Sequence, residues 1–143
     1  MYDVVALGEL LIDFVHKETT KAGYPVMQAN PGGAPGNFLS TASLFGARAA
    51  FIGKVGDDGF GLMLKRTLKE SGIDVRGVIS DPNVFTTLAF VTLDENGDRA
   101  FSFARKPGAD TMLTASELPM DIIENTRFFH FGSLSMTHEP ARA

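Results

Sequence analysis

Cysteine is absent from the 143 residues. That excludes a disulfide framework and any thiolate metal site, and it fits a reducing cytosol. Long apolar runs are missing too: none approaches membrane-spanning length, and the start Met1-Tyr2-Asp3 lacks the basic residues of a signal peptide. Cytoplasmic is therefore the default location. There is no excess of basic residues; the net charge is −4, spread along the chain, so neither nucleic acid nor an anionic membrane is favoured as a partner. His16, His130 and His138 have no metal-ligand spacing and no carboxylate cluster beside them, so no metal site is expected. His130, inside an apolar run, reads as a satisfied core histidine. No Ser-His-Asp order or nucleophile elbow is evident, and no residue is assigned as catalytic. What remains is ordinary globular composition, 44% hydrophobic and 21% charged, with enough chain for one core.

The most informative stretch is Asn30-Pro31-Gly32-Gly33-Ala34-Pro35-Gly36-Asn37. Gly32 and Gly33 allow backbone conformations closed to other residues and a close approach to a ligand. Pro35 suits the first helical turn, Phe38, Leu39, Ala42 and Phe45 fall on one helical stripe, and Gly46 supplies a left-handed stop. The stretch is a glycine loop feeding a helix N-terminus, with Asn37 on its first turn. It is not a Walker A loop, because no Gly-Lys-Ser/Thr follows. A tight turn and a ligand site are both open readings, though Gly-Gly followed by Pro-Gly-Asn holds more glycine than a turn needs.

Around this loop the pattern is α/β. Val4–Leu7 reads as a buried parallel strand, Leu10–Val15 as a second strand broken by Asp13, and Val26–Ala29 as a third. After the helix, Ala49–Gly56 reads as another buried strand. Asp57-Asp58 then offers N-caps for a helix with Phe60, Met63, Leu64 and Leu68 on one face, closed by Gly72. Residues 87–93 alternate, Asp94–Asp98 is an Asn-Gly hairpin turn, and the return strand places Arg99, Phe101, Phe103 and Arg105 on one face. A hairpin inserted in a parallel fold suggests a small accessory sheet. Thr114-Ala115-Ser116-Glu117 is a capping box, Arg127–Gly132 resumes the buried-strand pattern, and Thr137–Ala141 reads as the start of a helix. A parallel sheet needs crossover helices on both faces, so the expectation is that these residues are part of a longer polypeptide.

Three features bear on chemistry. Asp13 in an apolar strand is costly unless paired or hydrogen-bonded; taken alone it reads best as facing water on an edge strand, and otherwise as an acceptor for ligand hydroxyls. Phe101, Phe103 and Arg105 either close an apolar lid with a cationic edge or simply pack the hairpin on the main body. Asp57-Asp58 is most simply a helix cap.

The loop from Gly32 to Asn37, then Gly46, then Phe51-Ile52-Gly53-Lys54-Val55-Gly56-Asp57-Asp58-x-Phe60-Gly61 closely resembles the N-terminal signature of the ribokinase-like (PfkB) carbohydrate kinases. Gly8–Phe14, Pro107-Gly108-Ala109-Asp110 and Phe131–Ser135 match collinearly, and the Gly-Glu start with Ile-Asp-Phe looks most like the fructokinase branch. Leu39 departs from the pattern, where the family carries a small residue. The resemblance implies an α/β, ribokinase-like three-layer sandwich with a largely parallel central sheet and a small β-sheet lid. Residues 1–143 would be the N-terminal portion of one sugar-kinase domain, with lid strands near 11–16, 26–29 and 87–105. It further implies phosphorylation of a sugar hydroxyl by ATP with Mg2+, at C6 of fructose, with a potassium-type ion helping order an anion hole. Asp13, Gly32, Gly33 and Asn37 would bind sugar hydroxyls, Phe101 and Phe103 would belong to the lid, and Arg105 would lie at its edge near the sugar or the transferred phosphate. The catalytic aspartate and most of the nucleotide pocket would lie beyond Ala143, leaving this segment alone inactive. Other acceptors (ribose, 2-keto-3-deoxygluconate, a nucleoside), a non-catalytic sugar-binding homologue, and a homodimer through the lid remain open under the same resemblance.

Overall fold

The computed structural model describes residues 1–93 and 98–143; the expected hairpin turn, except for Asp98, lies outside the described residues. The elements in order are β1 (Tyr2–Leu7), β2 (Leu11–Thr19), β3 (Pro25–Gly32), α1 (Ala34–Leu44), β4 (Ala49–Gly56), α2 (Gly59–Glu70), β5 (Asp74–Asp81), β6 (Leu88–Leu93), β7 (Arg99–Ala104), α3 (Met120–Glu124) and β8 (Thr126–Phe131). They form two sheets. The first, ordered β5-β4-β1-β8, is parallel throughout. The second, ordered β3-β2-β6-β7, is mixed, with β2 and β6 parallel and the outer pairs antiparallel.

The parallel sheet is the middle of three layers because its central strands are apolar on both faces. Val4 and Ala6 of β1 join Phe51 and Val55 of β4 against Leu39 of α1 and Leu64 and Leu68 of α2. The alternate residues, Val5, Ala50 and Ile52, face Leu113 and Ile122 of α3. Every residue of β4 is buried, as a strand covered on both sides requires.

In α1 only part of the expected stripe reaches the core. Leu39 is fully buried and Ala42 packs beside it, whereas Phe38 is half-exposed and Phe45 almost fully exposed. Phe38 sits about 100° around the helix from Leu39, and Phe45 is already the C-cap. Leu39, the departure from the signature, is absorbed into the core. In α2 the expectation holds: Asp58 caps the helix by accepting from the N–H groups of Phe60 (2.9 Å) and Gly61 (2.8 Å), Leu64 and Leu68 are buried, and Phe60 and Met63 pack against the same cluster. Gly46 and Gly72 follow the two helices at φ +86° and +77°. The capping box at Thr114–Glu117 forms, on a 3-10 turn, with α3 shortly after it.

One strand was missed and three expectations need correction. Strand β5 was not anticipated: it is a sheet edge with only Gly77 and Val78 buried, so its apolar content is too thin to announce it. β8 does form at the expected place, but as an edge strand paired with β1 alone, and Phe128, Phe129 and Phe131 are exposed rather than buried. His130 is accordingly not a core residue; it is exposed, with its ring 4.8 Å from that of Phe38. Residues 137–141 form bends and turns in place of a helix, and Pro140 lacks the backbone N–H that continued helix would use.

Candidate functional site

β1 ends at Leu7, and the turn Gly8-Glu9-Leu10 carries the chain from the parallel sheet directly into β2 of the mixed sheet. The carboxyl end of a parallel strand is where α/β proteins place their ligands, and here the glycine loop returns to the same spot as β3 runs antiparallel to β2. In that register Leu11 pairs with Gly32 and Asp13 with Asn30.

Two glycines make this close return feasible. A Cβ on Gly32 would strike the Asp13 carboxylate, so only hydrogen fits between loop and acid. Gly33 adopts φ +113°, a conformation L side chains rarely take, and a Cβ there would strike the Glu9 carbonyl oxygen. Gly33 is also the N-cap of α1, with Pro35 in the first turn as expected. Asn37 is exposed, donates its backbone N–H to the Gly33 carbonyl at 3.1 Å, and lines a crevice of about 60 Å³ with Pro31, Gly32, Ser40 and Thr67.

Asp13 is partly buried and its side chain has no hydrogen bond or ion pair among the described residues. Burial pushes its carboxyl above the ordinary aspartate value of 3.8. The same residue pairs with Ala89 of β6, and Ala89 with Phe103 of β7. Residues opposite one another across a sheet share a face, so Asn30, Asp13, Ala89 and Phe103 form one row, with Gln28, Val15, Val91 and Phe101 in the next. Asp13 and Phe103 lie two strands apart, roughly 10 Å. The other face of this sheet, through Ile12, Phe14 and Leu88, packs into the core, with Phe14 edge-on to Phe60 of α2. The Asp13 face is thus the open one: Val15 is 40% exposed, Phe101 55% and Phe103 43%, with the two phenylalanine rings stacked at 6.3 Å.

Arg105 is placed differently from the other site residues. Its guanidinium donates to Asp110 through Nε (3.0 Å) and Nη2 (2.7 Å), and the Asp110 carboxylate also receives the Thr87 hydroxyl. Both charged side chains are buried, so this is the joint that fastens the end of β7 to the segment following it. Arg105 also lines, with Phe103, a cavity of about 400 Å³ that includes Pro107, Met112 and His138. Asp13 and Asn37 do not line that cavity, so the expected site residues fall into two groups: Asp13 with the glycine loop, and Phe103 with Arg105 across the sheet. Asp57 and Asp58 remain a helix start, as expected, with Asp58 also accepting from the Thr86 backbone and hydroxyl.

Three residues near the site lie in stretches singled out in the sequence but received no role of their own there. Asn30 lies beside Asp13 with its amide held by Gln28 Nε2 at 3.0 Å, and only strand register reveals it. Glu9 is 2% exposed and accepts from the Ala34 N–H at 3.3 Å. Lys54, buried on β4, binds Glu117 at 2.6 Å and the Met112 carbonyl at 2.8 Å; its position inside an otherwise apolar strand was the available signal. Among the described residues no group of three or more histidine, aspartate or glutamate side chains could hold a metal ion, and no helix is long and apolar enough to cross a membrane.

Fructokinase-1 of Zea mays is 47% identical over 144 residues, covering 97% of this chain and 44% of that protein. Fructokinase-2 of Oryza sativa subsp. japonica is 45% identical, covering 98% and 42%. The chain therefore spans less than half the length of these curated relatives. Among solved structures, the fructokinase from Xylella fastidiosa superposes with a TM-score of 0.92 at 31% identity, covering 99% of this chain and 44% of that one, and the same enzyme with bound ATP gives 0.90 at 30%, covering 99% and 45%. The architecture is α/β and ribokinase-like, with its largely parallel sheet and its small mixed sheet. The family model for pfkB carbohydrate kinases matches residues 1–142, and the chain belongs to that family.

Proposed function

We propose that the complete protein is an ATP-dependent sugar kinase that phosphorylates fructose at C6, and that residues 1–143 carry its acceptor side. The observation that carries this reading is Asp13: a partly buried carboxylate with no partner among the described residues, set against the hydrogens of Gly32 on the open face of the mixed sheet. A carboxylate in that state accepts hydrogen bonds from vicinal hydroxyls, and the backbone of Gly32 and Gly33 allows a sugar to approach as closely as hydrogen permits. Asn37 adds a donor and an acceptor from the first turn of α1. The mixed sheet serves as the lid, with Phe101 and Phe103 supplying its apolar wall and Arg105 its anchored edge. Phosphoryl transfer depends on positioning, charge neutralisation and exclusion of water, which a closing apolar lid serves.

Among the described residues no group of three or more histidine, aspartate or glutamate side chains could hold Mg2+, and the sequence has no glycine-lysine phosphate loop. ATP, its Mg2+ and a potassium-type ion would be held mainly by other parts of the complete protein, where they would supply the phosphoryl group and neutralise its charge. The relatives named fructokinase, one of them solved with ATP, support both the nucleotide and the sugar. The apolar lid face also permits a homodimer, which charged substitutions at Phe101 and Phe103 on a sizing column would disrupt.

A coupled assay of ATP turnover on the complete protein, with fructose, ribose, 2-keto-3-deoxygluconate and nucleosides as acceptors, tests the reading. Fructose is expected to give the highest kcat/KM. Turnover with another acceptor alone would remove fructose, and no turnover with any of them would remove the kinase.

A further inference from the structure

We infer that Glu9 is the positioning residue of the acceptor loop, a role that rests on the reading of Asp13 and Gly32–Gly33 as the sugar floor. Helix α1 begins without a cap of its own. Gly33 occupies the N-cap, no side chain caps it, and the first turn holds no acidic residue. Helix starts leave backbone N–H groups without partners, and here a carboxylate arrives from another part of the chain: Glu9 Oε1 accepts the Ala34 N–H at 3.3 Å.

The placement is costly for Glu9. The residue is 2% exposed, and its second oxygen, Oε2, is buried with no partner among the described residues. A buried carboxylate with a single long hydrogen bond is destabilising, and the positive end of α1 offsets only part of that cost. An apolar side chain would fill the same space without it. An unsatisfied buried polar group calls for a reason to be kept, and what this one holds is the loop.

The two turns are keyed together over their whole contact. A Cβ on Gly33 would strike the Glu9 carbonyl, and a Cβ on Gly8 would sit 2.5 Å from Pro35 Cγ and 2.5 Å from the Gly132 carbonyl. Gly8-Glu9-Leu10 thus lies directly beneath Gly33-Ala34-Pro35. Glu9 holds the loop at Ala34, while Asp13, on the open face of the mixed sheet, lies against it at Gly32. The Glu9 oxygen sets the height and angle at which Gly32, Gly33 and Asn37 meet the Asp13 carboxylate. Misplacement of a binding group by about 1 Å is enough to lose a large factor in productive binding.

The test separates reach from charge in the complete protein. Glu9→Gln keeps an acceptor oxygen at full reach and loses the charge; Glu9→Asp keeps the charge and withdraws the oxygen by one methylene. Fructose KM and kcat are measured at saturating ATP, with thermal midpoint as the check on folding. Glu9→Gln is expected to keep the fructose KM within about twofold, and Glu9→Asp to raise it about tenfold or more with kcat changed less than about threefold. Equal KM values for the two variants, or a raised KM in Glu9→Gln alone, would overturn the assignment. Asp13→Ala run alongside tells this failure from a failure of the site itself. If Asp13→Ala leaves fructose kinetics untouched, the sugar floor is wrong and the role of Glu9 falls with it; if Asp13→Ala raises KM while both Glu9 variants match the wild type, only Glu9 is wrong.

Discussion

The two sheets are joined by two direct links, of three and six residues, yet they obey different rules.

 Residues 8–10 and 82–87 are the direct links, and every other crossing passes through a helix. The parallel sheet is covered on both faces and β4 is buried along its whole length. The mixed sheet packs one face through Ile12, Phe14 and Leu88 and leaves the other open, with Val15, Phe101 and Phe103 exposed around Asp13. Apolar area in the first sheet is already used by the fold. In the second it stays accessible, and a carboxylate with no partner among the described residues lies in the middle of it. The apolar area of one sheet serves the fold, and the proposed recognition face belongs to the other.

The sharpest way to break this comparison is a matched pair of truncations. Phe51 is the largest fully buried side chain, in the centre of β4. Phe51→Ala is expected to cost about 3–5 kcal/mol in urea unfolding of the complete protein. Phe103→Ala, at a side chain 43% exposed, is expected to cost about 1 kcal/mol or less while raising the fructose KM. Equal stability losses would show that the open face carries the fold as much as the closed one.

The joint between the sheets comes next. Arg105 and Asp110 are buried as a pair, so Asp110→Ala leaves a guanidinium buried without its partner. The expected loss is about 3–5 kcal/mol, and because Arg105 ends the β7 segment, hydrogen exchange should speed up most along β6 and β7. Protection lost evenly over both sheets would mean that the pair stabilises the whole domain rather than the joint.

Legibility in the sequence follows the same division. β1, β4 and the buried face of α2 announced themselves because a covered parallel strand must be apolar throughout and a surface helix must be apolar on one side. β5 did not, since an edge strand needs few apolar residues, and β8 misled for the opposite reason: its apolar run reads as buried although only β1 pairs with it. The stripe on α1 placed Phe38 and Phe45 with Leu39, but three-residue and one-residue offsets are not equivalent on a helix, and a C-cap residue leaves the stripe altogether. In the site, Gly32, Gly33 and Asp13 were legible as residue types out of place for a simple turn or strand. Asn30 and Glu9 were not, because their significance lies in a cross-strand register and in a hydrogen bond reaching 25 residues along the chain.

Two aspartates sharpen the comparison through pH. For Asp58, burial pushes the carboxyl up, but hydrogen bonds from Thr86, Gly61 and Phe60 outweigh it and hold the group below its ordinary value. A depressed folded value contributes stability above the unfolded value and loses it as pH falls through the folded one. Asp58→Ala is therefore expected to lose about 1 kcal/mol at neutral pH and to show a shallower loss of stability on acidification. An unchanged midpoint at neutral pH would remove the cap from the list of stabilising contacts.

Asp13 shifts the other way, and its substitution should cost the fold least. Burial raises its carboxyl, with no hydrogen bond or ion pair among the described residues to pull it back. A raised folded value means the folded state holds the proton more tightly than the unfolded chain, so its contribution to stability is present at low pH and is lost as pH rises through the folded value. At neutral pH the ionised group works against folding, and Asp13→Asn should leave stability unchanged or slightly higher. Fructose binding should respond in the opposite sense, because hydroxyl donors need the ionised acceptor. Calorimetric titration of fructose into the complete protein should show affinity falling on acidification at a pH above the ordinary aspartate value of 3.8, and Asp13→Asn should weaken binding and flatten that profile. A variant that loses stability yet binds fructose normally would make Asp13 part of the framework, and the open face would then need another residue to receive the sugar.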